Sequence, residues 1–403
     1  GAAPGGCYRH GSGGPCWPDS TPLLDPPGQR PLTGLALSIN CRLKSMLSSH
    51  VLSGMSHRGL WAAVMLPLAW LYGWLSARHR SATLAQQEPL PVPVIVIGNV
   101  VLGGTGKTPI VAAVVAHLRR RGWRPGILSR GYGSNLTQTA EPLDVGPQTP
   151  VGACGDEPKW LHNETGVPVM VHPDRVLAAK TALSKHPHID ILVSDDGLQH
   201  LRLPRAVEIV VFDERGIGNG RLLPAGLLRE PWDLRPRRQP VIGVINSQNG
   251  RAAAIPTPPS ENTPFFNCQR SLADLFHRLD GEQQSRLTGA VQVVTAIAKP
   301  TVLIDMLRER GQRDGFHIDG VHVWPDHAAL DRMDLSSVSA GTVICTAKDA
   351  VKLLANPSVD PKRCWIAPLT LSLNPEFWEA LDAALPPQST RSELSLPHGH
   401  KTT

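Results

Sequence analysis

The chain has 403 residues, enough for two ordinary domains with substantial cores, and is 41% hydrophobic, 5% aromatic and formally +6 in charge. The charge points to anionic partners without separating nucleic acid, phospholipid and phosphorylated substrate, but no Lys/Arg run is interleaved with Phe or Tyr, which argues against a single-strand nucleic-acid groove, and no nucleic-acid partner is expected. The cysteines Cys7, Cys16, Cys41, Cys154, Cys268, Cys345 and Cys364 form no C-x-x-C pair, which argues against a zinc or redox motif and for a reduced, cytosol-facing protein.

Residues 1–54 are rich in Gly, Pro and Ser and show no period. They are expected to be disordered or a non-native extension, with Met55 as the native start. Residues 55–85 contain an uncharged stretch, 60–76, with Arg58 before it and Arg78, His79 and Arg80 after it. Its length lies at the bottom of the range for spanning a bilayer, and Pro67 interrupts it. A signal peptide would need a small-residue cleavage site, which does not follow. A buried core helix is one alternative. The reading taken is an N-terminal membrane-associated helix lying in or dipping into the membrane surface, anchored by its basic ends and interfacial Trp and Tyr residues.

A strand predicted over 92–97 leads into Gly103, Gly104, Thr105, Gly106, Lys107 and Thr108, followed by a helical pattern over 108–121. Glycines let several backbone N–H groups face one anion, and a helix N-terminus adds its positive end. Lys107 would reach the outer phosphates and the Thr108 hydroxyl a Mg²⁺ ion. The usual G-x-x-x-x-G-K-[ST] pattern has Val101 at its first glycine position here, but the strand–loop–helix context supports a phosphate-binding loop for a nucleoside triphosphate with Mg²⁺.

Further strands are predicted over 124–128, 168–172, 189–194 and 208–212, with helices between them such as 175–185. That alternation implies a parallel sheet covered on both faces, with ligands at the strand C-terminal ends. The residues just past the strands are therefore the candidates for chemistry. Gly155-Asp156-Glu157-Pro158 places two acids before a helix, either as a cap or as a general base with a neighbouring Mg²⁺ or substrate contact. Asp195 and Asp196 follow a strand, where a Mg²⁺-associated carboxylate is expected opposite a phosphate loop, although two acids and a glycine also make a plain turn. His172-Pro173-Asp174-Arg175 and the loop from Arg215 to Pro231 are basic and suggest an anionic substrate on one rim.

A polar, Pro-rich stretch over 246–264 separates this block from a second, smaller α/β region with strand 291–295, helix 300–311, apolar runs 321–323 and 342–346, and a helix near 375–385. Its segments Trp324–His327 and Thr346–Lys352 matter only if this region closes over the nucleotide. The expected organisation is 1–54 extension, 55–85 membrane-associated helix, 86–264 P-loop NTPase-like parallel-sheet domain, 265–386 smaller α/β lid domain and 387–403 disordered tail.

The ordered set N-V-V-L-G-G-T-G-K-T-P, S-R-G-Y-G, G-D-E-P, H-P-D-R, D-D-G-L-Q-H, P-A-G-L-L-R-E-P, P-D-H and T-A-K-D-A-V-K resembles the tetraacyldisaccharide 4′-kinase family over about residues 55–385. The resemblance implies transfer of the γ-phosphoryl of ATP to the 4′-hydroxyl of tetraacyldisaccharide 1-phosphate, a lipid A precursor. It also implies Mg²⁺, the cytoplasmic face of the bacterial inner membrane, a membrane-surface contact through the amino-terminal helix, and no required protein partner. It implies that Lys107 and Thr108 hold phosphates and Mg²⁺ and that Asp156 accepts the sugar proton. His327 would pair with Asp156 on closure. Glu157, Asp195 and Asp196 would surround metal and phosphates, and Arg130, Arg175, Gln199, His200 and Arg229 would line the substrate rim. Two positions depart from the pattern: Ala347 stands where Glu is expected, and Thr295–Pro300 lacks an expected glycine. The competing readings are a membrane-bound P-loop ATPase or GTPase switch, which leaves the arginine-rich rim unexplained, and a nucleotide-sensing scaffold, which would tolerate loss of Asp156.

Overall fold

The computed structural model describes Met55 and residues 58–132, 134, 141–232, 239–247, 263–335, 338 and 341–388. The extension expected at 1–54, residues 248–262 of the polar stretch and 389–403 of the tail lie outside the described residues.

The described chain begins with α1 (Leu60–Val64) and α2 (Leu66–Leu84). The apolar stretch 60–76 is thus divided at Met65, because Pro67 cannot donate into a continuing helix and sits instead in the first turn of a new one. The second helix then runs past Arg78 and Arg80 to Leu84. It is not a core helix: Trp70 is 74% and Trp74 56% exposed. Among the described residues no helix is long and apolar enough to cross a membrane. The opposite side holds the pair in place. Ala62 and Ala69 are buried there, Tyr72 Oη donates to Arg229 O at 2.7 Å, Trp61 Nε1 donates to Pro224 O at 3.2 Å, and Arg80 pairs with Glu230.

The strand–helix alternation follows as β1 (Val94–Gly98), α3 (Lys107–Arg120), β2 (Pro125–Ser129), β3 (Leu143–Asp144), α4 (Val151–Cys154), α5 (Asp156–Thr165), β4 (Val169–Val171), α6 (Arg175–Lys185), β5 (Ile191–Asp195), β6 (Val207–Phe212), β7 (Val241–Ser247) and β8 (Phe265–Leu272). After these come β9 (Phe276–Arg278), β10 (Gln283–Gln284), β11 (Gly289–Thr295), α7 (Pro300–Asp314), β12 (Phe316–Val323), β13 (Thr342–Cys345), α8 (Ala347–Leu353), β14 (Cys364–Ile366), β15 (Leu369–Leu373) and α9 (Pro375–Ala384). Among the described residues they build two sheets. One has nine strands in the order β15-β8-β7-β6-β1-β5-β2-β4-β3, and the other has six in the order β10-β9-β14-β13-β11-β12.

Strands β1, β2, β5 and β6 are buried at every position, as parallel strands covered on both faces must be. The period of two sends Ile95 and Ile97 into one core with Ile110, Val114 and Leu118 of α3, and Val94 and Val96 into the other with Ala178 and Ala182 of α6. Burying each large aliphatic side chain of α3 contributes about 1.5–3 kcal/mol before entropic costs, which is why an otherwise basic helix docks here.

The boundary expected at 264/265 is not the boundary between the sheets. β8 pairs in parallel with β7, β15 returns antiparallel to β8, and Phe377 and Leu381 of α9 join the core containing Ile110. The lid lobe is therefore an excursion from β9 to β14 out of the first lobe. The reason lies in β8, Phe265–Leu272, which is polar at half its positions because one face is solvated, so it carries no apolar run. Likewise Asn246 and Ser247 are the end of β7 rather than linker.

Candidate active site

β1 lies between β5 and β6, so the loop after β1 has an acid on each side: Asp195 ends β5 and Asp213 follows β6. The loop itself is shaped by Gly103 (φ 99°) and Gly106 (φ 74°). A Cβ on Gly106 would fall 1.2 Å from Arg270 Nη2 and 2.7 Å from Asn246 Nδ2. Those two side chains hold the loop from behind: Asn246 Nδ2 donates to Thr105 O at 2.7 Å and Arg270 Nη2 to Gly106 O at 3.0 Å. Asn99 Nδ2 ties the front, donating to Val101 O and Gly103 O at 2.9 Å each. Lys107 Nζ then lies 3.3 Å from Asn99 Oδ1 and 3.2 Å from Asp196 Oδ1, at the mouth of the loop.

Asp195 is buried, and its Oδ1 has no hydrogen-bond partner among the described residues. Burial, reinforced by the nearby Glu157 charge, raises its carboxyl above the ordinary range, against the pull of Lys107. Its neighbour Asp196, in a left-handed conformation (φ 50°), lies 3.8 Å from Arg229 Nη1. Arg175 is not on the rim where the sequence reading put it. It is buried, its Nη1 donates to His172 O at 2.8 Å and its Nη2 to Asp195 O at 3.4 Å, so it supports the strand end from behind. Burial pulls its guanidinium down to about 10, although Asp195 and Asp196 oppose this. The reason is that Arg175 is the first residue of a helix capped by Asp174, whose side chain accepts from Val176 N at 2.9 Å. His200 is half-buried beside it, pulled down to about 4 by burial and by the Arg175 charge, and is neutral at pH 7. Gln199 is exposed and Arg229 partly so: Gln199 Nε2 donates to Asn99 O at 3.1 Å and to Glu230 Oε1 at 3.0 Å, and Arg229 Nη1 lies 3.4 Å from Gln199 Oε1. Arg130 is exposed at the end of β2, close enough to influence Arg175.

Asp156 is the first residue of α5, after a Gly155 whose φ of 92° only glycine adopts readily. It is buried, and the lid meets it with His327, Lys348 and Lys352. His327 Nδ1 lies 3.0 Å from Oδ1 and 3.1 Å from Oδ2. Lys352 Nζ is 2.8 Å from Oδ2, close enough for an ion pair though not aligned for a hydrogen bond, and Lys348 Nζ is 3.8 Å away. Burial alone would raise the Asp156 carboxyl, but the His327 hydrogen bond and the Lys348, His327 and Lys352 charges hold it well below the usual carboxylate range. Burial and the Lys348 charge lower His327, but the hydrogen bond to Asp156 together with the Asp156 and Asp326 charges outweighs them and raises it. His327 has φ 63°, a conformation unfavourable for a residue with a side chain, and it sits 4.9 Å from the Tyr132 ring.

The cleft between the lobes is lined on one side by Gly104–Pro109, Asp213 and Arg270, and on the other by Ile297, Ala298, Val302, Met306, Ala347 and Lys348. A second ionic bridge crosses it, from Lys299 Nζ to Asp213 Oδ2 at 2.8 Å and Glu214 Oε1 at 2.9 Å. Ala347 contributes a methyl group to this wall, next to Ile297 and Ala298.

Sequence reasoning missed Asn99, Asn246, Arg270, Lys299 and Asp213, and gave Lys348 and Lys352 only a conditional role. The signal for the two lysines was present. They are four residues apart after a strand, which puts both on one face of a short helix. Asn246 and Arg270 left no signal, since they come from β7 and β8, which pair beside the loop only in the folded sheet.

A family model for tetraacyldisaccharide-1-P 4′-kinase matches residues 61–386. The tetraacyldisaccharide 4′-kinase of Polaromonas naphthalenivorans (strain CJ2) is 42% identical over 352 residues, covering 86% of this chain and 97% of its own. That of Bordetella petrii is 38% identical over 349 residues, covering 82% and 93%. Among solved structures, the "apo" form of LpxK from Aquifex aeolicus in complex with ATP superposes with a TM-score of 0.62 at 24% identity, covering 80% of this chain and 99% of that one, and thus shares the fold.

Proposed function

The chain belongs to the tetraacyldisaccharide-1-phosphate 4′-kinase family, and we propose that its interlobe cleft performs that reaction as a phosphotransferase, moving the γ-phosphoryl of ATP to the 4′-hydroxyl of tetraacyldisaccharide 1-phosphate. The observation that carries this reading is the meeting of two lobes at one buried carboxylate next to a glycine-rich loop: Asp156, clamped by His327 and Lys352, directly precedes Glu157, which lines one cleft with Lys107, Thr108 and the lid's Lys348.

In this reading the loop N–H groups and Lys107 hold the ATP phosphates, and the apolar wall of Ile297, Ala298 and Met306 receives the base. As the sugar oxygen bonds to the γ-phosphorus and the bond to the β-phosphate oxygen breaks, ADP leaves and the hydroxyl proton passes to Asp156. A carboxylate held so acidic is a poor base toward a free hydroxyl. In a loose phosphoryl-transfer transition state the proton is released late, when the oxygen has already lost electron density, so orientation by His327 matters more than basicity. The residues also fit Mg²⁺: the Thr108 hydroxyl and the buried, unpartnered Asp195 Oδ1 would hold it, with the Asp196 and Glu157 charges nearby. Among the described residues no three His, Cys, Asp or Glu side chains form a ready cage, which suits an ion that takes its other ligands from phosphate and water. Bound there, the ion would offset charge on the phosphoryl group. Gln199, His200, Arg229 and Arg130 line the approach for the anionic sugar head, and Arg175 fixes the strand end that carries Asp195.

The exposed Leu60, Trp70, Leu71 and Trp74 face away from the protein beside that approach, which supports contact with a membrane surface on the cytoplasmic side, where ATP is found. Replacing Trp70 and Trp74 together by glutamate is expected to abolish sedimentation with anionic phospholipid vesicles while shifting the melting temperature little, since both side chains are exposed. Unchanged sedimentation would remove the membrane role from this face. The reaction itself is tested by following labelled γ-phosphate from Mg·ATP into tetraacyldisaccharide 1-phosphate in detergent micelles. Label in the lipid is expected; folded protein that binds ATP and leaves the lipid unlabelled would overturn the assignment.

A further inference from the structure

Two lysines leave α8 on the same face and end at different stations. Lys352, whose side chain is 4% exposed, stands behind Asp156 at 2.8 Å and has no access to the cleft. Lys348 is 21% exposed and lines the same cleft as Lys107 and Thr108, from the opposite wall. Its ammonium is shared among Glu157 Oε1 at 3.2 Å, Asp326 Oδ1 at 3.4 Å and Asp156 Oδ2 at 3.8 Å, so none of these contacts is as close as that of Lys352. Burial would lower its pKa, but Glu157, Asp156 and Asp326 raise it above the ordinary lysine value, so the charge persists at every working pH.

The charge around the reacting group asks for such a cation. A phosphoryl group in transit would pass between Lys107 and the acids Asp156, Glu157, Asp195 and Asp196, and Lys107 is itself shared with Asp196. The lid already lies on the loop: a Cβ on Gly104 would be 3.5 Å from Ala298 Cβ. A cation carried by the lid can therefore exchange one of its carboxylates for a phosphate oxygen with a small side-chain movement. A compact ammonium on a flexible stem is suited to that exchange, and a cation delivered to the transferring group from a second element is a recurrent device in phosphoryl transfer.

We propose that Lys348 contacts the γ-phosphoryl group of ATP from the lid, as a catalytic residue facing Lys107. This rests on the assignment of the cleft as the ATP site. The test measures the affinity of the full-length protein for ADP and for the non-hydrolysable analogue AMPPNP with Mg²⁺, in wild type and in Lys348→Met. The substitution is expected to weaken AMPPNP about tenfold or more, the equivalent of one charge-assisted hydrogen bond, and to change ADP by less than about twofold. Lys348→Arg, which keeps the charge, should restore part of the preference for AMPPNP. Lys348→Gln carries the same expectation as the methionine variant and covers the case in which the latter does not fold. Equal loss of both nucleotides would make Lys348 a structural bridge, and unchanged affinities would remove it from the phosphate site; either result overturns the proposal. A wild type that binds neither nucleotide would overturn the ATP assignment and the proposal with it.

Discussion

Replacing Asp156 by asparagine is expected to lower turnover about 10²–10⁴-fold while leaving ATP affinity within about twofold of wild type. Asparagine preserves the shape of the side chain but cannot accept the proton, and it leaves Lys352, Lys348 and His327 without the carboxylate on which they converge. ATP binding should survive, because the loop that holds the phosphates is braced by Asn99, Asn246 and Arg270, none of which touches Asp156. Lys107→Ala should behave differently, weakening ATP binding as well as turnover, since its ammonium stands at the mouth of the loop. The comparison needs kinetics with the lipid acceptor and direct nucleotide titration of both variants. If both lose ATP affinity equally, the division between a proton acceptor and a phosphate holder is wrong.

The second large effect is expected far from the chemistry. Arg205→Met should destabilise the protein by about 3–5 kcal/mol, the usual result of removing one partner from a buried ion pair. Arg205 Nη1 lies 2.8 Å from Glu208 Oε1, and both side chains are at most 5% exposed. The same guanidinium donates to Leu198 O at 3.2 Å and His200 O at 2.7 Å. It therefore holds the turn that carries Gln199 and His200 against the start of β6, and its loss should also loosen the substrate rim. A shift in the urea midpoint, at unchanged slope, measures the effect. A loss below about 1 kcal/mol would show that the methionine packs well enough to replace the network.

The two results bear on different layers of the molecule, and those layers were unequally legible. The parallel core could be read because buried strands such as β1 and β5 are continuous apolar runs, and because α3 and α6 repeat their apolar positions at the helical period. The phosphate loop and the strand-end acids could be read for the same reason, since each lies directly after such a run. The end of the first lobe could not. β8 and β15 have one solvated face each, so they lack the hydrophobic signal that marked the central strands, and only pairing across the chain reveals them as its edge. The amino-terminal segment shows the same division. Its apolar character and its interruption by Pro67 were plain, whereas its attachment through Tyr72 and Trp61 depends on the loop around Pro224 and Arg229.

The sequence by itself determined the local chemistry: a glycine-rich turn whose N–H groups suit an anion, acids at strand ends, and an ordered set of motifs that identifies the family. It did so because those features depend on neighbours within a few residues. Which of these groups face the cleft was decided by tertiary structure. Arg175 and Arg229 both read from sequence as arginines of basic loops, yet one begins a helix and is buried behind Asp195 while the other is partly exposed. Asp156 and Lys352 are separated by nearly half of the chain and meet at 2.8 Å because the lid returns over the first lobe. Burial and long-range charge set the state of each of these groups, and both are properties of the packed molecule that no short window of sequence contains.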